Sequence, residues 1–175
     1  RGNYLERDFG NVLVIIQSSP NGCVRIINGD LPEVSPNDDN RLMLIAPHSK
    51  LENVAADGEF QTPPVQVFGE EPERGWCYYY QKADYARQRG TWEEIPSILE
   101  EALDKGYYPE DGLEWMPFLQ ANAVMGDLEK MRSTTKLVTT DKFLRLQVCE
   151  IMTKFASKET LNASVNEFIE KKICE

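Results

Sequence analysis

Apolar residues in the first part of the chain form short continuous runs instead of helical stripes. Residues 11–17 (NVLVIIQ) and 41–46 (RLMLIA) are such runs, and they predict strands that are buried on both faces. Residues 23–28 (CVRIIN) follow the turn formers Pro20, Asn21 and Gly22, so we expect them to form a hairpin with the first run. Residues 29–40, which contain Pro32 and Pro36, are predicted to form a loop.

A strand–helix–strand unit is predicted between residues 41 and 68. Ser49 and Glu52 match a capping box, in which the serine hydroxyl accepts a helix N–H and the glutamate reaches back. The box predicts a short helix over residues 50–56 that ends at Gly58, and residues 64–68 (PVQVF) predict another strand. Residues 1–70 are therefore predicted to be a small α/β module with a mixed or partly parallel sheet.

From Trp76 onward the hydrophobic pattern becomes helical. Two further capping boxes, at residues 91–94 and 111–114, mark predicted helix starts. Pro96 lies near the start of the first of these helices, where its ring is predicted to bend the helix. Apolar residues three or four positions apart form one face of that helix: Trp92, Ile95, Leu99 and Ala102.

The helical part contains an internal repeat with an offset of 36 residues. Tyr79 corresponds to Trp115, and Gly90 corresponds to Gly126. The glycine recurs because a chain reversal between helices needs a positive φ, which only glycine adopts cheaply. The pattern is typical of a tetratricopeptide-type repeat, whose period is about 34 residues. It predicts a right-handed stack of helix pairs, and a generic helical bundle is the alternative.

Two more amphipathic helices are predicted over residues 140–156 and 157–174, with Ser157 as an N-cap. They would form a degenerate third pair that covers the end of the stack. The predicted fold class is therefore α+β, with a small mixed or partly parallel β-sheet module followed by a tetratricopeptide-like helical stack. The predicted domains are residues 1–70 and 76–175, with helical units near 76–110, 111–138 and 140–174.

Composition and charge restrict the classes of function. The 175 residues are 41% apolar and 27% charged, as in ordinary globular proteins. The 19 basic and 29 acidic residues give a net charge of −10, which argues against binding nucleic acid or an anionic membrane surface. The longest apolar run, residues 12–16, is too short to span a bilayer. Because the chain starts at Arg1 without a leader, we expect a soluble piece of a longer protein.

Candidate catalytic and metal-binding chemistry is sparse. The chain has no glycine-rich phosphate loop, and its single histidine, His48, adjoins Ser49, which is an awkward geometry for a catalytic dyad. Zinc sites use short paired spacings, which the four cysteines lack: Cys23, Cys77, Cys149 and Cys174. We therefore predict no catalytic residue, metal or cofactor, and a small hydrolase is only a third hypothesis.

Two interpretations of the cysteines stay open. All four are buried or partly buried thiols in the first interpretation. In the second, Cys23 and Cys77 form a disulfide that joins the two halves of the chain. The disulfide requires an oxidising compartment, which the composition does not establish.

Aromatic residues concentrate where the helical part begins. Adjacent residues of a helix point about 100° apart, so residues 76–80 cannot all face one core. We interpret the aromatic side chains either as a seam between the two parts or as a groove for a sugar, a peptide or a partner helix. The candidate residues are Trp76, Tyr78, Tyr79, Tyr80, Trp92 and Trp115.

Several segments of the chain together are similar to a known family. These segments are residues 68–72 (FGEEP), 76–84 (WCYYYQKAD), 86–88 (ARQ), 90–92 (GTW) and 114–118 (EWMPF). They resemble the C-terminal soluble region of prokaryotic multi-pass membrane proteins similar to dolichyl-phosphate-mannose-type glycosyltransferases. In that group a strand-rich segment with a Cys-x-Arg motif, here Cys23-Val24-Arg25, precedes helical repeats. The similarity spans about residues 23–132, and both Thr91 and the tail after Arg132 depart from it.

The resemblance implies an extracytoplasmic domain of a larger membrane protein. Catalysis in such enzymes depends on acidic residues of the membrane portion, so no catalytic residue is carried over to this chain. The implied location favours the disulfide between Cys23 and Cys77. We therefore expect a non-catalytic domain that recognises the parent membrane segment, a protein partner or a glycan acceptor. The alternative is a cytosolic tetratricopeptide adaptor that binds a peptide.

Overall fold

Helices dominate the computed structural model, which describes residues 10–54, 63–70 and 73–175. Two short strands, β1 (Ile15–Gln17) and β2 (Val24–Ile26), precede the helices. The helices are α1 (Leu42–Ile45), α2 (Val65–Phe68), α3 (Trp76–Arg89), α4 (Ile95–Asp104), α5 (Met116–Met125), α6 (Leu128–Val138), α7 (Lys142–Lys158) and α8 (Ala163–Phe168). Single 3₁₀ turns cover Ala46–His48, Leu51–Asn53, Trp92–Glu94 and Gly112–Trp115, and α8 continues into a π-helical turn over Ile169–Ile173.

The two strands form the predicted hairpin. They pair antiparallel with Ile16 opposite Arg25. The turn between them is closed by the Gly22 N–H, which donates to the Ser19 carbonyl at 3.1 Å. The hairpin prediction is confirmed, although the strands are shorter than the apolar runs that predicted them. A small apolar cluster joins the hairpin to the segment after it: Val14, Ile27, Val34, Leu42 and Ala46.

The predicted mixed or partly parallel sheet is wrong, because the described residues contain only this two-stranded antiparallel sheet. Residues 41–46, predicted as a strand, contain α1 and the first residue of the 3₁₀ turn after it, with Arg41 directly before α1. Leu42 and Ala46 are buried, whereas residues 43–45 are exposed. A spacing of four is one face of a helix, and a short apolar run by itself does not distinguish that face from a buried strand.

The remaining elements of the predicted strand–helix–strand unit also differ. Residues 64–68 have exposed side chains and contain α2 (Val65–Phe68) after Pro64, instead of a strand. Ser49 caps no helix, since its Oγ accepts the Val14 N–H at 2.9 Å and ties this segment to the hairpin. A 3₁₀ turn over Leu51–Asn53 replaces the start of the predicted helix, and its predicted end at Gly58 lies outside the described residues.

The helix pairs α3–α4 and α5–α6 each turn at a glycine. Gly90 ends α3 with a φ of 71°, and Gly126 ends α5 with a φ of 72°. Both values lie in the left-handed region that favours glycine, so the bends predicted from the 36-residue offset are confirmed. Helix α4 packs on α3, α6 packs on α5, and α5 contacts both helices of the first pair.

Helix starts follow the predicted chemistry only in part. Asp141 caps α7 by accepting the Leu144 N–H, and Asn162 caps α8 by accepting the Val165 N–H, both at 2.9 Å. Ser157 is not an N-cap, because α7 continues through Lys158 and the serine hydroxyl donates to the Lys154 carbonyl. Thr91 caps nothing either, and its hydroxyl donates to the Ala86 carbonyl. Pro96 occupies the first turn of α4, where a missing N–H breaks no helical hydrogen bond.

One large hydrophobic core runs through all of the helices from α3 onward. Tyr79, Phe118, Met131 and Met152, contributed by four different helices, are among its fully buried side chains. Cys23 belongs to the same cluster, although it lies in the hairpin. The hairpin therefore enters the helical core at Cys23, and this junction positions the site described next.

Candidate functional site

The junction between the hairpin and α3 is crosslinked. Cys23 and Cys77 form a disulfide, with 2.18 Å between their sulfur atoms. The carboxylate of Glu114 lies beside it, accepting the Cys23 N–H at 2.9 Å and the Trp76 indole N–H at 2.7 Å. Glu114 was predicted to reach back to its own helix start. It instead binds one residue on each side of the crosslink, and Asp111 alone caps that turn through the Leu113 N–H.

A buried ion pair lies next to this junction and joins the hairpin to the loop that follows it. The Arg25 Nη2 atom lies 2.6 Å from the Asp38 carboxylate and 2.8 Å from the Ser18 hydroxyl, while its Nη1 atom donates to the Glu33 carbonyl at 3.0 Å. The two side chains of the pair are 3% and 0% exposed. Ser35 donates a short hydrogen bond from its hydroxyl to Asp111, which links this loop to the helices. The Cys-x-Arg segment thus supplies both the crosslink and the ion pair.

Burial raises the pKa of Glu114 above its ordinary value. The negative charge of Asp111 acts in the same direction, whereas the hydrogen bonds from Cys23 and Trp76 and the charge of Arg25 oppose it. A raised carboxyl pKa means that the folded state binds a proton more readily than the unfolded chain. The contribution of Glu114 to stability is therefore fully present below its unfolded pKa and is lost as the pH rises through its folded pKa.

Substituting Glu114→Gln tests this charge burial. Glutamine does not titrate in this pH range, so the variant lacks the pH dependence that Glu114 contributes. The stability advantage of the unaltered protein over the variant, measured as the difference between their free energies of unfolding, is therefore expected to fall as the pH rises from about 4 to about 7. Urea denaturation at four pH values in this range measures the difference. Glu129→Gln, a change at an exposed position of α6, is the control and is expected to give no such trend. A difference that rises with pH would contradict the raised pKa.

The predicted aromatic residues separate into two groups. Four of them are buried: Trp76, Tyr79, Tyr80 and Trp115. The Trp76 ring packs on Trp115 at 5.6 Å and on Phe118 at 5.8 Å between ring centroids. Burial raises the pKa of Tyr80 well above its usual value. Tyr78 and Trp92 are partly exposed, and they lie on different surfaces of the protein. Trp76, Tyr79, Tyr80 and Trp115 therefore pack inside the protein, whereas Tyr78 lies at an open groove, and a ligand for that groove stays a prediction.

An open groove of about 730 Å³ lies beside the Cys23–Cys77 disulfide, and we call it the aromatic groove. It runs between the start of α3 and the loop after α4. Its aromatic walls are Trp76, Tyr78, Tyr107 and Tyr108, and its polar lining residues are Asn21, Glu73, Arg74, Gln81 and Glu110. The size and the mixture of aromatic faces with a few polar groups are typical of small-molecule sites.

Contacts with neighbouring side chains fix the positions of two tyrosines in the walls of the aromatic groove. Tyr107 stacks on the buried Tyr79 with 6.0 Å between centroids, and the Tyr79 hydroxyl accepts from Lys105 at 2.6 Å. The Arg74 guanidinium lies 4.6 Å from the centre of the Tyr78 ring. Tyr108, in contrast, is 63% exposed at the rim. The groove thus combines fixed rings with one tyrosine whose faces are open to a ligand.

Sequence reasoning missed Tyr107 and Tyr108. Both follow Gly106 in the stretch that joins the two helical repeat units. Gly106 has a φ of 77°, and this left-handed bend directs the chain toward the start of α3. Two adjacent tyrosines in an exposed turn are the signal that was available, since a loop has no structural need for two large rings.

The second pair of cysteines is also crosslinked. Cys149 of α7 and Cys174 form a disulfide with 2.01 Å between their sulfur atoms. The sequence left both as thiols, because a cysteine separation of 25 residues carries no pairing signal by itself. The bond attaches the C-terminal end of the described chain to α7.

Residues 10–54, 63–70 and 73–175 contain no group of three or more His, Cys, Asp or Glu side chains placed to hold a metal ion. Within the same residues, no helix has both the length and the apolar character that crossing a bilayer requires. No protein-family model, curated protein or solved structure matches this chain.

Proposed function

We propose that this chain is a non-catalytic recognition domain of a membrane glycosyltransferase-like protein, that it works outside the cytoplasm, and that it binds a glycan acceptor in the aromatic groove. The aromatic groove carries the proposal. Its tyrosine rings stand beside amide and carboxylate groups on a base that a disulfide holds to the hairpin.

Carbohydrates match this kind of surface. One face of a sugar ring presents C–H groups with a partial positive charge, and aromatic faces carry the complementary negative charge. The hydroxyl groups at the edge of the ring need donors and acceptors, which Asn21, Gln81 and Glu110 offer around the groove. Pre-formed walls lower the ordering cost of binding, because few side chains must be fixed when the ligand enters.

Two features support an extracytoplasmic location. Both cysteine pairs are disulfides, and disulfides persist mainly in oxidising compartments. The resemblance of residues 23–132 to the soluble region of membrane glycosyltransferase-like proteins implies the same location. A gene that encodes several apolar segments of about 20 residues before this region would support the membrane parent, and a gene without them would contradict it.

The Tyr108→Ala substitution is expected to weaken binding of neutral oligosaccharides about tenfold. The lost ring contact is worth about 1.4 kcal/mol, which corresponds to that factor. Mannobiose and longer mannose oligomers are the first probes, titrated against the full chain while the tryptophan fluorescence is monitored, since Trp76 lines the groove.

Tyr85→Ala provides the matched control for this titration. Tyr85 is a partly exposed tyrosine on α3 that does not line the aromatic groove, and its loss is expected to leave the affinity unchanged. Equal affinities for the unaltered protein and Tyr108→Ala would contradict glycan binding at this groove. The proposal would also be contradicted if none of the oligosaccharides bound.

The cytosolic adaptor differs from this proposal in its cysteine chemistry. Protein isolated from the native host and treated with an alkylating reagent before reduction is expected to resist labelling at Cys23 and Cys77. Mass spectrometry of the two peptides measures this. Complete alkylation of both residues would favour the adaptor, whose compartment keeps thiols reduced.

A further inference from the structure

A second cavity, of about 450 Å³, lies on the surface that carries Trp92, and we call it the Arg87 cavity. It forms where the loop around Glu33 meets the end of α3 and the side of α7. The side chains used below are Glu33, Arg87, Gln88, Trp92, Gln120 and Phe155. The Arg87 cavity shares no lining residue with the aromatic groove in the part of the chain that the structure describes.

The groups at and directly behind the floor of the Arg87 cavity carry an excess of negative charge, since Glu33 and Arg87 line the cavity and Asp84 contacts Arg87 from behind. Arg87 lies between two carboxylates, with Nη1 at 2.5 Å from Glu33 and Nη2 at 2.5 Å from Asp84. Two carboxylates against one guanidinium leave one negative charge uncompensated. The side chains of Arg87 and Glu33 are only 17% and 11% exposed, so water compensates this charge poorly.

The other groups around the floor do not neutralise it. Gln120 accepts from Arg87 Nη1 at 3.1 Å, and Gln88 donates to Asp84 at 3.0 Å. Lys158 lies at the mouth, is 60% exposed, and faces Asp30 at 4.0 Å. Glu52 and Glu159 also line the mouth. Three carboxylates therefore line the cavity against two cations, Arg87 and Lys158.

A hydrogen-bond donor and an aromatic wall complete the cavity. Gln120 is 3% exposed, and its amide N–H₂ has no hydrogen-bond partner among the described residues. Because Gln120 lines the cavity and its oxygen is held by Arg87, this amide group can be satisfied from the cavity. Trp92 forms one wall, with its ring packed edge-on against Phe155 at 5.4 Å.

These groups select among ligand classes. A carboxylate or phosphate would be repelled by the excess negative charge. A lysine or arginine side chain would supply the cation but has no acceptor for the Gln120 amide. A neutral sugar would satisfy Gln120 and Trp92 but would leave the charge uncompensated. A ligand that carries a protonated amine and a hydroxyl oxygen on one small ring satisfies all three groups at once.

We propose that the Arg87 cavity binds a cationic amino sugar, with its ammonium group at Glu33, a hydroxyl oxygen at the Gln120 amide and its ring against Trp92. The site goes beyond the proposed function, since it uses its own residues and a ligand of different charge.

The test titrates the unaltered full chain with glucosamine, N-acetylglucosamine, glucose and argininamide at about pH 6. Binding is followed by NMR signals of the Gln120 amide and the Trp92 indole N–H. Glucosamine is expected to shift both signals and to bind at least about tenfold more tightly than each of the other three compounds. Acetylation removes the cation, and argininamide lacks the hydroxylated ring.

Two variants identify the groups that act. Glu33→Gln is expected to abolish the preference for glucosamine over N-acetylglucosamine, and Gln120→Met is expected to weaken glucosamine about tenfold without changing argininamide. Tyr108→Ala is expected to leave glucosamine binding unchanged, so failure at one cavity is distinguishable from failure at the other. Equal binding of glucosamine and N-acetylglucosamine, tighter binding of argininamide, or no shift at Gln120 and Trp92 would each overturn the proposal.

Discussion

Replacing both Cys23 and Cys77 with alanine is expected to lower the free energy of unfolding by about 4 kcal/mol. The two residues are 54 positions apart, so the bond closes a long loop and removes many conformations from the unfolded chain. The bond also joins the hairpin to a helical core that the hairpin otherwise enters through few side chains. Urea denaturation of the oxidised protein and of the double variant measures the loss.

The second disulfide provides an internal comparison. Cys149 and Cys174 are 25 positions apart, and replacing both with alanine is expected to cost about 3.5 kcal/mol because the loop is shorter. The order of the two losses follows from loop length alone. A loss below about 1 kcal/mol for the Cys23 and Cys77 pair would contradict the crosslink as the main restraint on the unfolded chain.

Substituting Arg25→Met is expected to cost about 3–5 kcal/mol. Methionine keeps much of the side-chain volume but removes the cation from Asp38, whose side chain has no solvent exposure. The Ser18 hydroxyl and the Glu33 carbonyl also lose their donor. An unpaired buried carboxylate is costly, and this cost makes the expected loss large. Urea denaturation of the unaltered protein and of the variant measures the loss.

Arg41→Met is the matched control for that experiment. Arg41 pairs with Asp39 in the same way at 2.5 Å, but the two side chains are 83% and 51% exposed. The pair is screened by water, so its loss is expected to change stability by no measurable amount. Similar losses for Arg25→Met and Arg41→Met would show that burial of the pair at the junction has no energetic consequence.

Local signals predicted the hairpin and the helix bends correctly. The Pro20-Asn21-Gly22 turn specifies a chain reversal by its own backbone preferences, and the hairpin follows from it. Gly90 and Gly126 end helices because the left-handed backbone there is cheap only for glycine. These features depend on residues within a few positions of one another.

Residues 41–46 show where local reasoning failed. A run of apolar residues fits a buried strand, but a strand needs a neighbouring strand with which to share hydrogen bonds. The described residues offer no such partner beyond the hairpin, so the run forms a helical turn that satisfies its own backbone. Leu42 and Ala46 still enter the apolar cluster, because a helix places positions four apart on one face.

The candidate sites were predicted only by residue type. Trp76 and Tyr78 were singled out because adjacent aromatic residues at a helix start cannot share one environment, and both line the aromatic groove. Tyr107 and Tyr108 join them from 29 or more positions away. Glu33 and Arg87 are 54 positions apart, and neither local segment contains a sequence pattern that predicts their contact.

The amino-acid sequence by itself determined the hairpin turn, the glycine-ended helices and part of the aromatic residues that line the aromatic groove. These follow from short-range backbone sterics and hydrogen bonds. The tertiary structure decided which carboxylates meet which cations, which tyrosines face solvent and which cysteines pair. Those outcomes depend on burial and on contacts between distant segments, whose energies exist only after the helices have packed around one core.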